Sequence, residues 1–190
     1  MVAETRRLRR RFAPTAVMPW DAVTAAAELA VQLGHLALCL ARRRGVNVTG
    51  FEDPDRPITD PGDELADVAL AALSVAVLAD TPPSPAPAVD QIGARADGGD
   101  DETASLLVML VAAGQLAEAA MVACGYRHRP TGQLPPVADA CATAVAAADR
   151  LADQLDLNLP EVFDAMTADA HRFLDQPGAE SATPAGEAHR

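Results

Sequence analysis

The sequence predicts an all-α fold, a four-helix bundle built from two tandem helical hairpins and followed by a C-terminal helix. Three observations predict it. Apolar residues recur at three- and four-residue spacing through long Ala- and Leu-rich blocks, and no run of alternating β-branched residues bounded by turns occurs. Of the 190 residues 49% are apolar, enough for one core of domain size. The chain also repeats itself: VQLGHLALCLARRRG from residue 31 returns as VAAGQLAEAAMVACG from residue 111. Val, Gly, Leu, Ala and the closing Gly keep their offsets, and His35 becomes Gln115.

Residues 1–18 open the chain with Arg6, Arg7, Arg9, Arg10 and Arg11, and Pro14 and Pro19 stand where a signal peptide needs an apolar run. This Arg-rich arm is expected to be disordered, with Met18 a second candidate start. The first hairpin is expected over residues 19–80. Its first helix begins near Trp20 with Asp21 in an acidic opening turn, and it ends on Arg42, Arg43 and Arg44 before Gly45, where cations suit the negative end of the helix dipole. A polar loop, NVTGFEDPDRPITDPG, leads to Asp63 as N-cap of a second helix, ELADVALAALSVAVLA.

Residues 81–102, rich in Pro, Gly and Asp, read as a linker too poor in apolar surface to order itself. The second hairpin and last helix occupy residues 103–174. One helix ends at Gly125, another follows Pro135 and Pro136, and LPEVFDAMTADAHRFL opens on Pro160 in its first turn. Residues 175–190 read as a loose, disordered tail. The second helices of the halves also align, with Ala66 and Asp67 against Ala138 and Asp139. Neither hairpin alone covers its apolar stripe, so the two share a core, and duplication followed by fusion explains the repeat.

A formal charge of −12 argues against a nucleic-acid or anionic-membrane surface as the main business. Cys39, Cys124 and Cys141 form no CxxC pair and read as reduced, buried thiols. The most apolar windows, such as residues 65–79 with Asp67 inside, are too short to cross a bilayer, so no transmembrane helix is expected and a cytoplasmic location is. No Gly-rich phosphate loop, Ser elbow or HEXXH motif occurs.

VQLGHLA at residues 31–37, ELADV at residues 64–68 and LDLNLPEVF at residues 155–163 together resemble the MazG-like nucleoside triphosphate pyrophosphohydrolases. The resemblance covers roughly residues 20–174, and ELADV is its most specific piece. It implies an all-α enzyme that splits a nucleotide between its α and β phosphates, with clustered carboxylates holding magnesium against the triphosphate and the attacking water. The family's EExxE falls on Val31, Gln32 and His35, whereas Glu64 and Asp67 keep its ExxD. In the second half the equivalent positions are Val111, Ala112 and Gln115, with Pro136 and Asp139 opposite.

The resemblance therefore makes Glu64 and Asp67 the catalytic candidates. Glu28, one and two turns before Gln32 and His35, adds a third carboxylate to a metal set of Glu64, Asp67, His35 and Glu28. Magnesium is the implied ion, manganese or none the alternatives, since imidazole with two carboxylates suits a softer metal. Gln32, Gln115 and Asp139 are candidates for substrate contact or for a buried polar network across the bundle. Each has a plainer reading: His35 a core histidine, Glu64 and Asp67 acidic residues favouring a helix N-terminus, Glu118 a solvated face. The loop GYRHRP, with Tyr126, Arg127, His128 and Arg129, is a turn or a phosphate contact.

Three functions stay open at this point: a diverged pyrophosphohydrolase with weak or lost activity, a non-catalytic bundle that binds a nucleotide, a related small molecule or a protein, and a bundle with a His and carboxylate metal site. A homodimer is compatible with all three.

Overall fold

A computed structural model describes residues 1–16, 18–52, 55, 57–81 and 102–176. Six α-helices lie among them, with no strand: α1 (Val2–Phe12), α2 (Ala22–Arg43), α3 (Pro61–Leu78), α4 (Glu102–Ala123), α5 (Val137–Gln154) and α6 (Leu159–Leu174). Apart from its end residues 81 and 102, the expected linker lies outside the described residues, as does the expected tail beyond Gln176.

The bundle is a ring in which α2 packs on α3, α3 on α5, α5 on α4 and α4 on α2. Its core is aliphatic and small: Leu29, Leu36, Leu65, Val75, Leu116 and Leu151 are fully buried among many alanines, and Ala146–Ala148 let α5 lie close to its neighbours. Helix α3 is the central element. Nearly every residue from Glu64 to Ala76 is buried, because α1 and α6 roof its outer side. From α6, Phe163 is wholly buried and Met166 nearly so.

Helices α2 and α4 end in the same kind of turn. After α2, Gly45 has φ of 75° and after α4, Gly125 has φ of 76°. Each closes its helix the same way, with Val46 N–H donating to the Ala41 carbonyl at 3.0 Å and Tyr126 N–H to that of Met121 at 2.9 Å. Only glycine takes that left-handed position without steric cost, which is why a Gly follows each of the two helices. Helices α3 and α5 are each 18 residues long and are followed by Asp80 and Asp156, at φ of 53° and 57°.

That match moves the second-half alignment by one helical turn. With both 18-residue helices superposed end to end, Asp139 corresponds to Asp63, while Glu64 and Asp67 correspond to Ala140 and Thr143. The Ala-Asp pairing read from sequence is out of register, because Ala-rich helices match one another at several offsets.

Four further expectations change. Residues 2–12 are helical rather than disordered: Thr5 and Leu8 are fully buried, Val2 and Phe12 pack at the edge of the core, and Glu4 sits in the first turn. Helix α3 starts at Pro61, with Asp60 rather than Asp63 as N-cap. The Asp60 carboxylate accepts from Gly62 N–H at 2.8 Å, and Pro61 takes the first position, where its missing N–H costs nothing. Asp21 caps α2, accepting from the backbone N–H groups of Val23 and Thr24. Finally, α2 and α4 are each long and apolar enough to cross a bilayer, with mean hydropathy of 1.5 and 1.9 over 18 residues, contrary to the expectation that the most apolar windows are too short.

Candidate functional site

Helices α2 and α3 run antiparallel and share a polar seam. On α2 the spacing of Glu28, Gln32, His35 and Cys39 puts all four on one stripe; on α3, Glu64, Asp67 and Ser74 follow the opposing one. At one end of the seam His35 Nδ1 lies 3.1 Å from Gln32 Oε1 and 3.4 Å from Glu64 Oε2. The Gln32 oxygen accepts, so Nδ1 carries the proton and donates within α2, with the Glu64 carboxylate of α3 alongside. Glu64 is buried where α3 begins. One turn beyond His35, the Cys39 thiol donates to the Ile58 carbonyl at 3.6 Å. Burial, with Glu64 close by, pushes that thiol up to about 11. Arg42 ties down the preceding loop by donating to the Ile58 carbonyl and to Glu52.

At the other end of the seam a cation from α1 enters. Arg9 Nη2 donates to Glu28 Oε2 at 2.8 Å, and its Nε donates to Ser74 Oγ at 2.6 Å, while the Ser74 hydroxyl donates to the Leu70 carbonyl at 2.6 Å. The guanidinium also lies 4.2 Å from the centroid of the Trp20 ring. Its side chain is 9% exposed, so this is an interior charge with a carboxylate, a hydroxyl and an aromatic face all holding it.

Around Arg9 the surface is hollow. A cleft of about 320 Å³ is lined by Arg9, Trp20, Glu28 and Asp67 with the apolar Leu70 and Met166, and a second of about 440 Å³ shares Arg9, Phe12 and Trp20 and reaches Leu78. Helix α1 forms a wall of both, and its own anchorage comes from α6. Arg11 Nη1 donates to His171 Nδ1 at 2.7 Å, which leaves Nε2–H of His171 to donate to Glu4. Arg11 Nη2 also donates to Asp175 at 2.6 Å.

Of the residues singled out from sequence, Gln32, His35 and Glu64 meet, and Glu28 and Asp67 line one cleft. Gln115 and Asp139 do not join them. Both are exposed, so the buried network across the bundle is not formed; α4 turns the Gln115 position outwards, and Asp139 sits in the open first turn of α5. Val31, the first EExxE position, is 54% exposed and also faces away. Glu118 is paired with Arg127 at 3.0 Å, and Tyr126 in the same loop is exposed. Arg9, Trp20 and Ser74 were not anticipated. The signal for Arg9 was the 2, 5, 8, 12 spacing of Val, Thr, Leu and Phe, which marks an amphipathic helix and therefore a fixed arginine.

The residues as arranged do not fit a magnesium cage. Such a site needs several oxygens converging in near-octahedral geometry, with carboxylates carrying the charge. Here the Glu28 carboxylate is committed to Arg9, the His35 imidazole stands against Glu64, and among the described residues no three His, Cys, Asp or Glu side chains converge on one point. No protein-family model, curated protein or solved structure matches the chain.

Proposed function

We propose that this chain is a MazG-like bundle that binds a nucleotide or a related small molecule in the cleft beside Arg9 without hydrolysing it by magnesium chemistry. The observation that carries the reading is the buried guanidinium of Arg9 between Glu28, Ser74 and Trp20. A fixed organic cation neutralises the carboxylate and offers hydrogen bonds, but unlike a divalent metal it cannot lower the pKa of a bound water or bridge phosphate oxygens. What is retained is a cleft of ligand size with an indole platform, apolar walls and a few directed polar groups, the usual make-up of a small-molecule site.

Trp20 is the chain's single tryptophan and lines both clefts, so its fluorescence reports on ligand entry. Titration with a panel of standard and modified nucleoside mono- and triphosphates is expected to change Trp20 emission saturably, while pyrophosphate release stays at background with magnesium or manganese. Metal-dependent release that a Glu64→Gln, Asp67→Asn double variant abolishes would overturn the non-catalytic part. No emission change with any member of the panel would overturn the binding part.

One observation favours a second reading, residual hydrolysis: the ELADV carboxylates stay together on α3, with His35 against Glu64. The release assay decides between the two.

A further inference from the structure

The α3 side of the bundle is roofed by α1 and α6, whereas the α2 and α4 side carries no helix among the described residues. These two helices are the matched first helices of the halves. Arg43 and Arg44 at the end of α2 pair with Glu102 at the start of α4, at 3.7 and 3.9 Å, so the two run antiparallel. Their outward faces should be polar if they met only water. Instead Val31 is 54%, Leu107 57%, Leu110 45% and Val111 64% exposed. Between Asp21 and Arg42 the only formal charge on α2 is Glu28, which is turned to Arg9; between Glu102 and Ala123 the only one on α4 is Glu118, which is paired with Arg127. The chain as a whole carries −12, so an uncharged face of this length is a marked exception.

The two glycines on this face add a second, independent observation. Gly34 and Gly114 occupy the same repeat position in the middle of α2 and α4, and both are exposed. A Cβ at either would meet nothing within 4 Å, and neither has a positive φ. Glycine there costs helix stability relative to alanine without serving this chain's own packing, and both halves carry it. Close approach of a backbone from outside accounts for that cost.

We infer that the α2 and α4 face is the self-association surface of this protein, and that a second copy of the chain docks there face to face. A two-fold dimer requires a patch that complements itself, and the two antiparallel helices present the same residues at matching repeat positions, Val31 with Val111 and Gly34 with Gly114. The area suffices. Each helix has 22 residues; at about 1.5 Å per residue and a face roughly 20 Å wide, each protomer offers about 650 Å². Two such faces bury about 1,300 Å², within the range of specific interfaces of roughly 1,200–2,000 Å². A bilayer is the poorer occupant, since helices that lie on anionic membranes carry Lys or Arg along their flanks and the two intervening charges here are both acidic.

Sedimentation velocity of the full chain from about 1 to about 200 μM tests the inference, with an expected monomer–dimer equilibrium in the micromolar range. The charge-inserting pair Val31→Glu, Val111→Glu should weaken it at least about tenfold with helix content retained. A second pair, Gly34→Gln, Gly114→Gln, replaces glycine by a better helix former, so it should hold or raise the thermal midpoint while weakening the dimer as strongly. A wild type that stays monomeric at the highest concentration would overturn the inference, as would a dimer indifferent to both pairs. So would a monomer that co-sediments with phosphatidylcholine and phosphatidylglycerol vesicles, which would make the face a membrane surface.

Discussion

Replacing Arg9 by Ala removes three interactions at once, and their sizes follow from their burial. The charged hydrogen bond to Glu28 is 2.8 Å long, with side chains 9% and 26% exposed. Breaking a fully buried pair costs about 3–5 kcal/mol, but Glu28 keeps access to water, so about 1.5–3 kcal/mol is the appropriate range here. The stacking on Trp20 adds about 0.5–1 kcal/mol. Ser74 loses a donor yet keeps its own bond to the Leu70 carbonyl, so its share is small. The expected loss is therefore about 2–4 kcal/mol, or about 5–15 °C in melting temperature for a chain of this length.

Far-UV circular dichroism reads the global melt, and Trp20 emission reads the loss of the stacked guanidinium at the same position. Arg10→Ala is the control, because Arg10 is exposed on the same helix; it should cost less than about 0.5 kcal/mol. An Arg9→Met, Glu28→Gln double variant should recover part of the loss, since no uncompensated carboxylate is left behind. If Arg9→Ala and Arg10→Ala melt within about 0.5 kcal/mol of one another, Arg9 is not the cation that organises this end of the seam, and the functional reading built on it falls.

Two other outcomes are expected. The hydrogen bond from His171, aided by the charge of Arg7, holds the Glu4 carboxyl below its ordinary value of 4.5. A depressed carboxyl contributes stability that is present above its unfolded value and is lost as pH falls through the folded one, so α1 should loosen as pH drops below about 4.5. Trp20 emission followed against pH should show that transition, and Glu4→Gln should remove it; an unchanged profile in the variant would assign the transition elsewhere. Burial pushes the Cys39 and Cys141 thiols up to about 11 and about 12, while Cys124 is exposed. A thiol reagent at about pH 8 should therefore label one cysteine promptly in the native protein and all three after denaturation, and rapid labelling of two would contradict the packing of α2 or α5.

The helical class and the glycine stops after α2 and α4 were legible in the sequence because each rests on local chemistry. Three- and four-residue spacing, an arginine cluster at a helix end and a Gly in a left-handed position act within a turn or two of chain. The same locality explains the errors. Ala-rich helices align at several registers, so only equal helix lengths and the matched Asp80 and Asp156 moved Asp139 from Asp67 to Asp63. The arm of arginines looked disordered because a short helix is marginal by itself; its order comes from burying Thr5 and Leu8 against distant helices.

The candidate site divides in the same way. The stripe of Gln32 and His35 on α2, and the pair Glu64 and Asp67 on α3, could be placed on their helices by sequence alone, since a helix face is a matter of spacing. That His35 meets Glu64 at 3.4 Å, that Glu28 turns to an arginine from α1, and that Gln115 looks to solvent are relations between helices far apart in the chain. Sequence by itself determined which residues share a helix face. Tertiary packing decided which faces meet, because a long-range contact depends on the register and crossing of two helices, and no residue carries that information alone.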